Sequence, residues 1–253
     1  MGKRKSGTGT CDAPVRPRGT GARESSDLPA PGAGCRPYRL AVLVSGRGSN
    51  LQAILDAIAA GTLHAIVVGV FSDRAEAQAL QRARAAGVHA EALSPRDFPS
   101  RAAFDQALFA RIDAVAPDLI VCAGYMRLID ATALAPRAGR IINIHPSLLP
   151  AFKGLHTHRQ ALRAGVREHG ASVHFVTPDL DGGPLIAQVR VPVEPCDSEA
   201  SLAARVLARE HPLLVASLRL FAAARVTLDE DGVHVDAHAL TAALQLSCND
   251  AFA

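Results

Sequence analysis

The chain has 253 residues, 49% of them apolar, enough for one large core or two smaller ones; with no Trp and two Tyr, that core must be mostly Ala, Leu, Val and Ile. Net charge is +3, but residues 1–40 hold eight Lys/Arg against three Asp/Glu, which leaves 19 against 21 for the rest. A fold so close to neutral argues against a nucleic-acid-binding domain, which would cluster basic side chains on one face, and any anionic ligand should be small and held locally.

Residues 1–37 are rich in Gly, Pro, Ser, Thr and Arg, with almost no large apolar side chains. Such a segment cannot bury enough surface to offset the entropy of ordering, so a disordered basic tail is expected. Lys3-Arg4-Lys5 reads as a solvated charge run, and no apolar core follows it as a secretory signal would require. Order is predicted to begin with a strand over 38–44. It runs into Ser45-Gly46-Arg47-Gly48-Ser49-Asn50 and a helix over 51–60. Strand, Gly-rich turn and helix point free backbone N–H groups and a positive dipole end at an anion. The turn is neither the dinucleotide fingerprint, for lack of a third glycine, nor a Walker loop, for lack of Gly-Lys-Ser/Thr. Taken alone, Ser49 and Asn50 serve equally well as helix caps.

The alternation continues with a strand over 64–71, a helix over 74–86, a strand over 88–93 and a helix over 100–115. Residues 119–124 are apolar throughout, as expected of a strand covered on both faces, and end in Tyr125-Met126-Arg127-Leu128-Ile129. After a short helix over 131–135 comes a β-branched strand over 140–144, which breaks into a loop carrying Pro146 and Pro150. Asn143 and His145 fall at this strand's end and on one face, because strand side chains alternate with a period of two. In an open α/β sheet, ligands bind outside the carboxyl ends of the strands. Downstream, a helix over 157–164 precedes strands over 171–177 and 185–193, joined by Asp179-Leu180-Asp181-Gly182-Gly183-Pro184. A long helix over 198–224 is predicted to break near His211-Pro212, followed by a hairpin over 226–235 and a frayed tail. The fold class is α/β: an open, doubly wound, mostly parallel Rossmann-like sheet with right-handed crossovers, antiparallel C-terminal strands and a long C-terminal helix.

Six segments carry a family resemblance. They are Val44 through Ala53 (VSGRGSNLQA), Ala123 through Arg127 (AGYMR), Asn143 through Pro150 (NIHPSLLP), Gly154 through His158 (GLHTH), Gly170 through Val176 (GASVHFV) and Asp179 through Pro184 (DLDGGP). In this order the chain resembles the folate-dependent glycinamide ribonucleotide formyltransferase family over residues 40 to about 225. The resemblance implies transfer of a formyl group from 10-formyltetrahydrofolate to the amine of glycinamide ribonucleotide, with no metal. It also implies a formyltransferase domain over 38–236, with a phosphate-binding half (38–145) and a folate-binding half (146–236), and a tail over 237–253.

The chemistry so implied needs donors for a developing oxyanion and a route for a proton. By the resemblance, Asn143 and His145 are the oxyanion donors. Asp181 is the carboxylate that favours the charged imidazole and relays the proton. Gly48, Ser49, Asn50, Leu51 and Gln52 would hold the ribonucleotide phosphate and its surroundings, and Glu210 the ribose hydroxyls. Arg101, Met126, Arg127, Leu128, Ile129 and Asn143 would line the folate side, under the loop around Asp179–Asp181. Arg47 between the turn glycines and Lys153 in Ala151-Phe152-Lys153 depart from the family pattern; they bear on substrate affinity more than on reaction type.

Five scattered cysteines form no C-x-x-C pair, so neither a disulfide framework nor a zinc site is suggested, and a reducing cytoplasm is the expected compartment. Cys122 reads as an inert core thiol, and His156, His158, His169 and His174 lack the spacing of a ligand cluster. No apolar run reaches the roughly 18 residues of a membrane span. Small molecules are the expected partners, with no nucleic acid or membrane, and the protein is expected to be a monomer or homodimer. Three rivals remain at this level. A formyltetrahydrofolate hydrolase should carry a regulatory domain before the first strand, and a methionyl-tRNA formyltransferase a basic domain after residue 224. A non-catalytic nucleotide-binding module would use the Gly-rich turn alone.

Overall fold

The first strand, β1 (Tyr38–Val44), alternates between two cores: Leu40, Val42 and Val44 enter one cluster of buried residues, Ala41 and Leu43 the other. Apolar side chains on both faces require cover on both faces, which the helices provide. The computed structural model describes Met1, Gly2 and residues 36–252. The expected disordered tail therefore lies almost wholly outside the described residues. From Arg36 onward the chain forms one compact unit.

After β1 come α1 (Ser49–Ala59), β2 (Ala65–Ser72), α2 (Gln78–Ala85), β3 (Ala90–Ala92), α3 (Arg101–Ala114), β4 (Leu119–Cys122), α4 (Ala131–Leu134) and β5 (Ile141–His145). The strands lie in the order β3-β2-β1-β4-β5, every pair parallel. The chain winds outward from β1 to β3 and then returns to lay β4 on the other side of β1. That reversal opens a crevice at the carboxyl ends of β1 and β4.

The remainder adds α5 (Thr157–Ala164), β6 (Glu168–Phe175), β7 (Leu185–Pro192), α6 (Glu199–Ala222), β8 (Val226–Asp229), β9 (Gly232–Val235), β10 (His238–Ala239) and β11 (Leu244–Gln245). β6 runs antiparallel to both β5 and β7, and it is the only strand of the eight-stranded sheet among the described residues to do so. β8, β9 and β10 form a separate three-stranded antiparallel sheet.

Four local expectations are corrected. The second helix starts at Gln78, not at 74, because the Arg74 N–H is taken by the Ser72 hydroxyl (3.0 Å) and Ala77 is not helical. The sixth strand covers Glu168–Phe175 instead of 171–177, since its pairing with β7 begins at Glu168 opposite Pro192. The last helix does not break at Pro212. A helix-interior proline costs about 3 kcal/mol, but Leu213, Leu214 and Leu218 are fully buried, and each such side chain contributes about 1.5–3 kcal/mol. Packing therefore carries the helix through. Finally, the expected C-terminal fraying gives way to β11, which pairs parallel with β7 and leaves Leu246 buried.

Candidate active site

The β5–β6 pairing builds the centre of the site. Asn143 stands opposite His174 and His145 opposite Ser172, and directly opposed residues of an antiparallel pair share a face. The Asn143 amide reaches His174 Nε2 at 3.2 Å. His174 Nδ1 lies 2.9 Å from the Phe175 carbonyl, an acceptor, so Nδ1 carries the hydrogen. Burial pushes this imidazole below its ordinary pKa, although the Phe175 carbonyl and Asp181 pull the other way. A neutral His174 therefore accepts from Asn143 Nδ2 and leaves the second amide hydrogen available.

His145, 6% exposed, donates from Nε2 to the Phe152 carbonyl at 3.1 Å. Its Nδ1 lies 3.5 Å from Asp181 Oδ2, while Asp181 Oδ1 lies 3.7 Å from His174 Nε2. One carboxylate thus stands between two imidazoles, and the Gly154 N–H holds it at 2.8 Å. Asp181 has φ 44, a left-handed conformation that Asp tolerates better than most residues. Gly183 lets its turn fold onto β6, because a Cβ there would strike the Phe175 carbonyl oxygen.

Buried hydrogen bonds fix the loop after His145. Ser172 donates to the Ser147 carbonyl (2.7 Å) and accepts from the Leu149 N–H (3.1 Å). Gln188 donates to the Leu149 carbonyl (2.8 Å), and Thr157 to that of Pro146 (2.7 Å). Beneath this loop His169 is fully buried, 3.2 Å from His158; burial, reinforced by His158 and His145, lowers it to about 4.

These groups open onto a cavity of about 610 Å³ whose walls include Met126, Arg127, Leu128, Ile129, Asn143, His145 and Asp181. Met126, Leu128 and Leu180 are substantially exposed, giving the cavity apolar jaws around a polar floor. Arg101 is not among the lining residues and points instead towards Asp130, 3.8 Å away.

The residues that the resemblance assigns to the ribonucleotide lie outside the walls of that cavity. Gly48, with φ 73, caps α1, so neither Ser49 nor Asn50 does. The first helical bond runs from the Gln52 N–H to the Gly48 carbonyl (2.9 Å). The N–H groups of Ser49, Asn50 and Leu51 thus have no acceptor inside the helix, and such an end suits an anion. Asn50 Nδ2 donates to Glu210 Oε2 at 3.1 Å. Burial raises the Glu210 carboxyl against the effect of that bond. Asn50 Oδ1 has no protein partner.

Three contributors were not singled out in the sequence. His174 shares the face of Asn143; its signal was the alternation Ser172-Val173-His174, which becomes useful only once the register with β5 is known. Ser45 Oγ donates to Asp73 (2.6 Å) and accepts from the Met126 N–H (3.0 Å), tying three strand ends together. Arg82 donates to the Arg47 carbonyl (2.9 Å) and to the Gln52 side chain (3.0 Å), bracing the Gly-rich turn. Nothing local in the sequence marks either of these two. Among the described residues no group of three His, Cys, Asp or Glu is arranged to hold a metal, and no helix is long and apolar enough to cross a membrane.

Residues 38–218 match the formyl transferase family. The phosphoribosylglycinamide formyltransferase of Escherichia coli is 48% identical over 201 residues, which cover 79% of this chain and 95% of that protein. The crystal structure of glycinamide ribonucleotide transformylase 1 from Symbiobacterium toebii superposes with a TM-score of 0.76 at 48% identity, covering 79% of this chain and 94% of that one. The Coxiella burnetii phosphoribosylglycinamide formyltransferase, solved with CHES, gives 0.79 at 45%, covering 81% and 96%. With its motifs, its sheet order and its polar strand ends all in agreement, the chain belongs to the formyl transferase family.

Proposed function

We propose that this protein transfers the formyl group of 10-formyltetrahydrofolate to the amino group of glycinamide ribonucleotide, a step of purine synthesis. The observation that carries this reading is the meeting of the Asn143 amide, the His145 imidazole and the Asp181 carboxylate in one cavity, beside a helix end that suits a phosphate. The family supports the reaction class and a folate co-substrate. The long match to the Escherichia coli enzyme supports the acceptor.

In this reading the N–H groups of Ser49, Asn50 and Leu51 take the phosphate, and Glu210, held by Asn50, takes the ribose hydroxyls. The cavity walls from Met126 to Ile129 take the folate, with Arg101 at their edge. The amine's lone pair forms the new C–N bond, and the formyl oxygen gains negative charge. Asn143 meets that charge with the amide hydrogen not used by His174. His145, protonated at Nδ1 beside Asp181, supplies positive charge. The proton lost by the amine passes by way of Asp181 and His145 to the folate nitrogen as its bond to carbon breaks. A 3.5 Å separation is long for direct transfer, and such contacts tighten in the substrate complex or use one water. Cys122 also lines the cavity, but burial pushes its thiol up to about 12, so it remains protonated and unsuited to carry the formyl group.

The test is to supply purified protein with 10-formyltetrahydrofolate, with and without glycinamide ribonucleotide, and to follow deformylation. Transfer that requires the amine is the expected outcome. Deformylation at the same rate without it would replace this reading by a hydrolase, and no turnover in either arm would leave only a binding module.

A further inference from the structure

The loop from Gly124 to Asp130 supplies most of the cavity wall on the proposed folate side, and two side chains from elsewhere in the fold hold its ends. Near its start the Met126 N–H donates to Ser45. At its end the Asp130 N–H donates to Asp105 Oδ2 at 2.7 Å, across 25 residues. Asp105 comes from α3 and is fully buried beside Phe104 and Leu108. This is an expensive place for a carboxylate, since a buried ionised group with few partners is strongly disfavoured. Its other oxygen has no protein partner, nor have the Tyr125 hydroxyl or Arg127 Nε, which are also buried. Arg127 lies over the Phe104 ring at 5.1 Å, one residue from Asp105 in sequence, and Arg101 faces Asp130 at 3.8 Å. The polar groups facing Asp105, namely the Asp130 N–H, Arg127 and Arg101, belong to this loop or to its own helix, and a leucine in its place would leave the Asp130 N–H without its acceptor.

We propose that Asp105 is a positioning residue for the formyl donor: from behind the cavity wall it fixes the end of the 124–130 loop, so that Met126, Arg127, Leu128 and Ile129 stand in register for the folate. Asp105 touches neither substrate nor reacting atoms and acts through the Asp130 N–H and the field it places on Arg127. Burial raises its carboxyl above the usual range, opposed by the Asp130 hydrogen bond and by Arg127 and Arg101. An amide at this position therefore keeps the hydrogen-bond acceptor while losing the charge that faces Arg127. This inference rests on the proposed function for the identity of the ligand.

Two variants separate positioning from mere stability. Asp105→Ala removes the acceptor, and its KM for 10-formyltetrahydrofolate is expected to rise more than tenfold. Asp105→Asn keeps an acceptor in the same shape, and its rise is expected to be three- to tenfold. In both, KM for glycinamide ribonucleotide stays within twofold and kcat at saturation within threefold. Equilibrium binding of tetrahydrofolate, without the second substrate, should weaken by the same factors. If the alanine variant does not fold, the asparagine variant alone decides. A folded variant with unchanged donor KM, or with both KM values raised alike, overturns the proposal. Failure of the proposed function would show differently, as absence of transfer in the unmutated protein.

Discussion

Replacing Gly48 by alanine tests the link between backbone geometry and ribonucleotide binding. Gly48 has φ 73, and a Cβ built there would lie 2.5 Å from the Ala79 Cβ and 2.8 Å from its Cα. Two costs follow. Holding an L-residue in the left-handed region costs about 1–2 kcal/mol, and forcing a methyl into occupied space costs about 1–3 kcal/mol. The total is about 2–5 kcal/mol, measurable by urea denaturation. Carbon atoms prefer a separation of about 3.5–4 Å, so the turn and α2 must part by roughly 1 Å. Ala79 resists, because its N–H is bonded to the Gly46 carbonyl at 3.1 Å. A displacement of about that size typically costs up to about 100-fold in rate. The kcat/KM for glycinamide ribonucleotide should therefore fall roughly ten- to hundredfold, while KM for the formyl donor changes little. A Gly48→Ala protein with unchanged stability and unchanged kinetics would refute the reasoning.

Four further outcomes are expected. His145→Ala or Asp181→Asn should lower kcat by about 100- to 1000-fold with the far-UV circular dichroism retained; full activity in either would sink the mechanism. Glu210→Ala should raise KM for glycinamide ribonucleotide more than for the folate, read from initial rates, because it leaves Asn50 without its 3.1 Å partner. Acid should destabilise the fold through His169, whose pKa falls to about 4 on burial from about 6.5 when unfolded. The native state binds the proton less readily, so this contribution is present above the unfolded pKa and is lost as pH falls towards the folded one. Linkage puts the loss between pH 7 and 5 at about 2 kcal/mol, and His169→Gln should flatten the pH dependence of the denaturation midpoint by that amount. Removing residues 242–253 should lower Tm by several degrees in a thermal melt, because it uncovers β7 and exposes the surface covered by Leu246.

Much of the fold was legible because β1, β2, β4 and β5 are apolar on both faces and separated by turn chemistry. Asn143 and His145 stand out as candidates for a related reason, since an amide and an imidazole closing a buried apolar strand contrast sharply with what precedes them, although the strand end alone serves equally well as a cap. Asp181 and Glu210 were not legible from local pattern. One lies in an ordinary turn and the other mid-helix, and only the family resemblance singled them out. His174 was missed because its role depends on the β5–β6 register, which is set by packing across some thirty residues. Pro212 misleads for the converse reason: a strong local signal is outweighed by the buried leucines that follow it.

The Asn50–Glu210 bond joins positions 160 residues apart, and this has a bearing on biosynthesis. The strands β1 to β5 leave the ribosome first and can pair among themselves, presenting the Gly-rich turn early. Glu210 emerges only with α6, after β6 and β7 have been made. On the proposed function, stabilisation by the intact ribonucleotide then begins only once α6 has been made, so ligand binding favours finished molecules over partial ones.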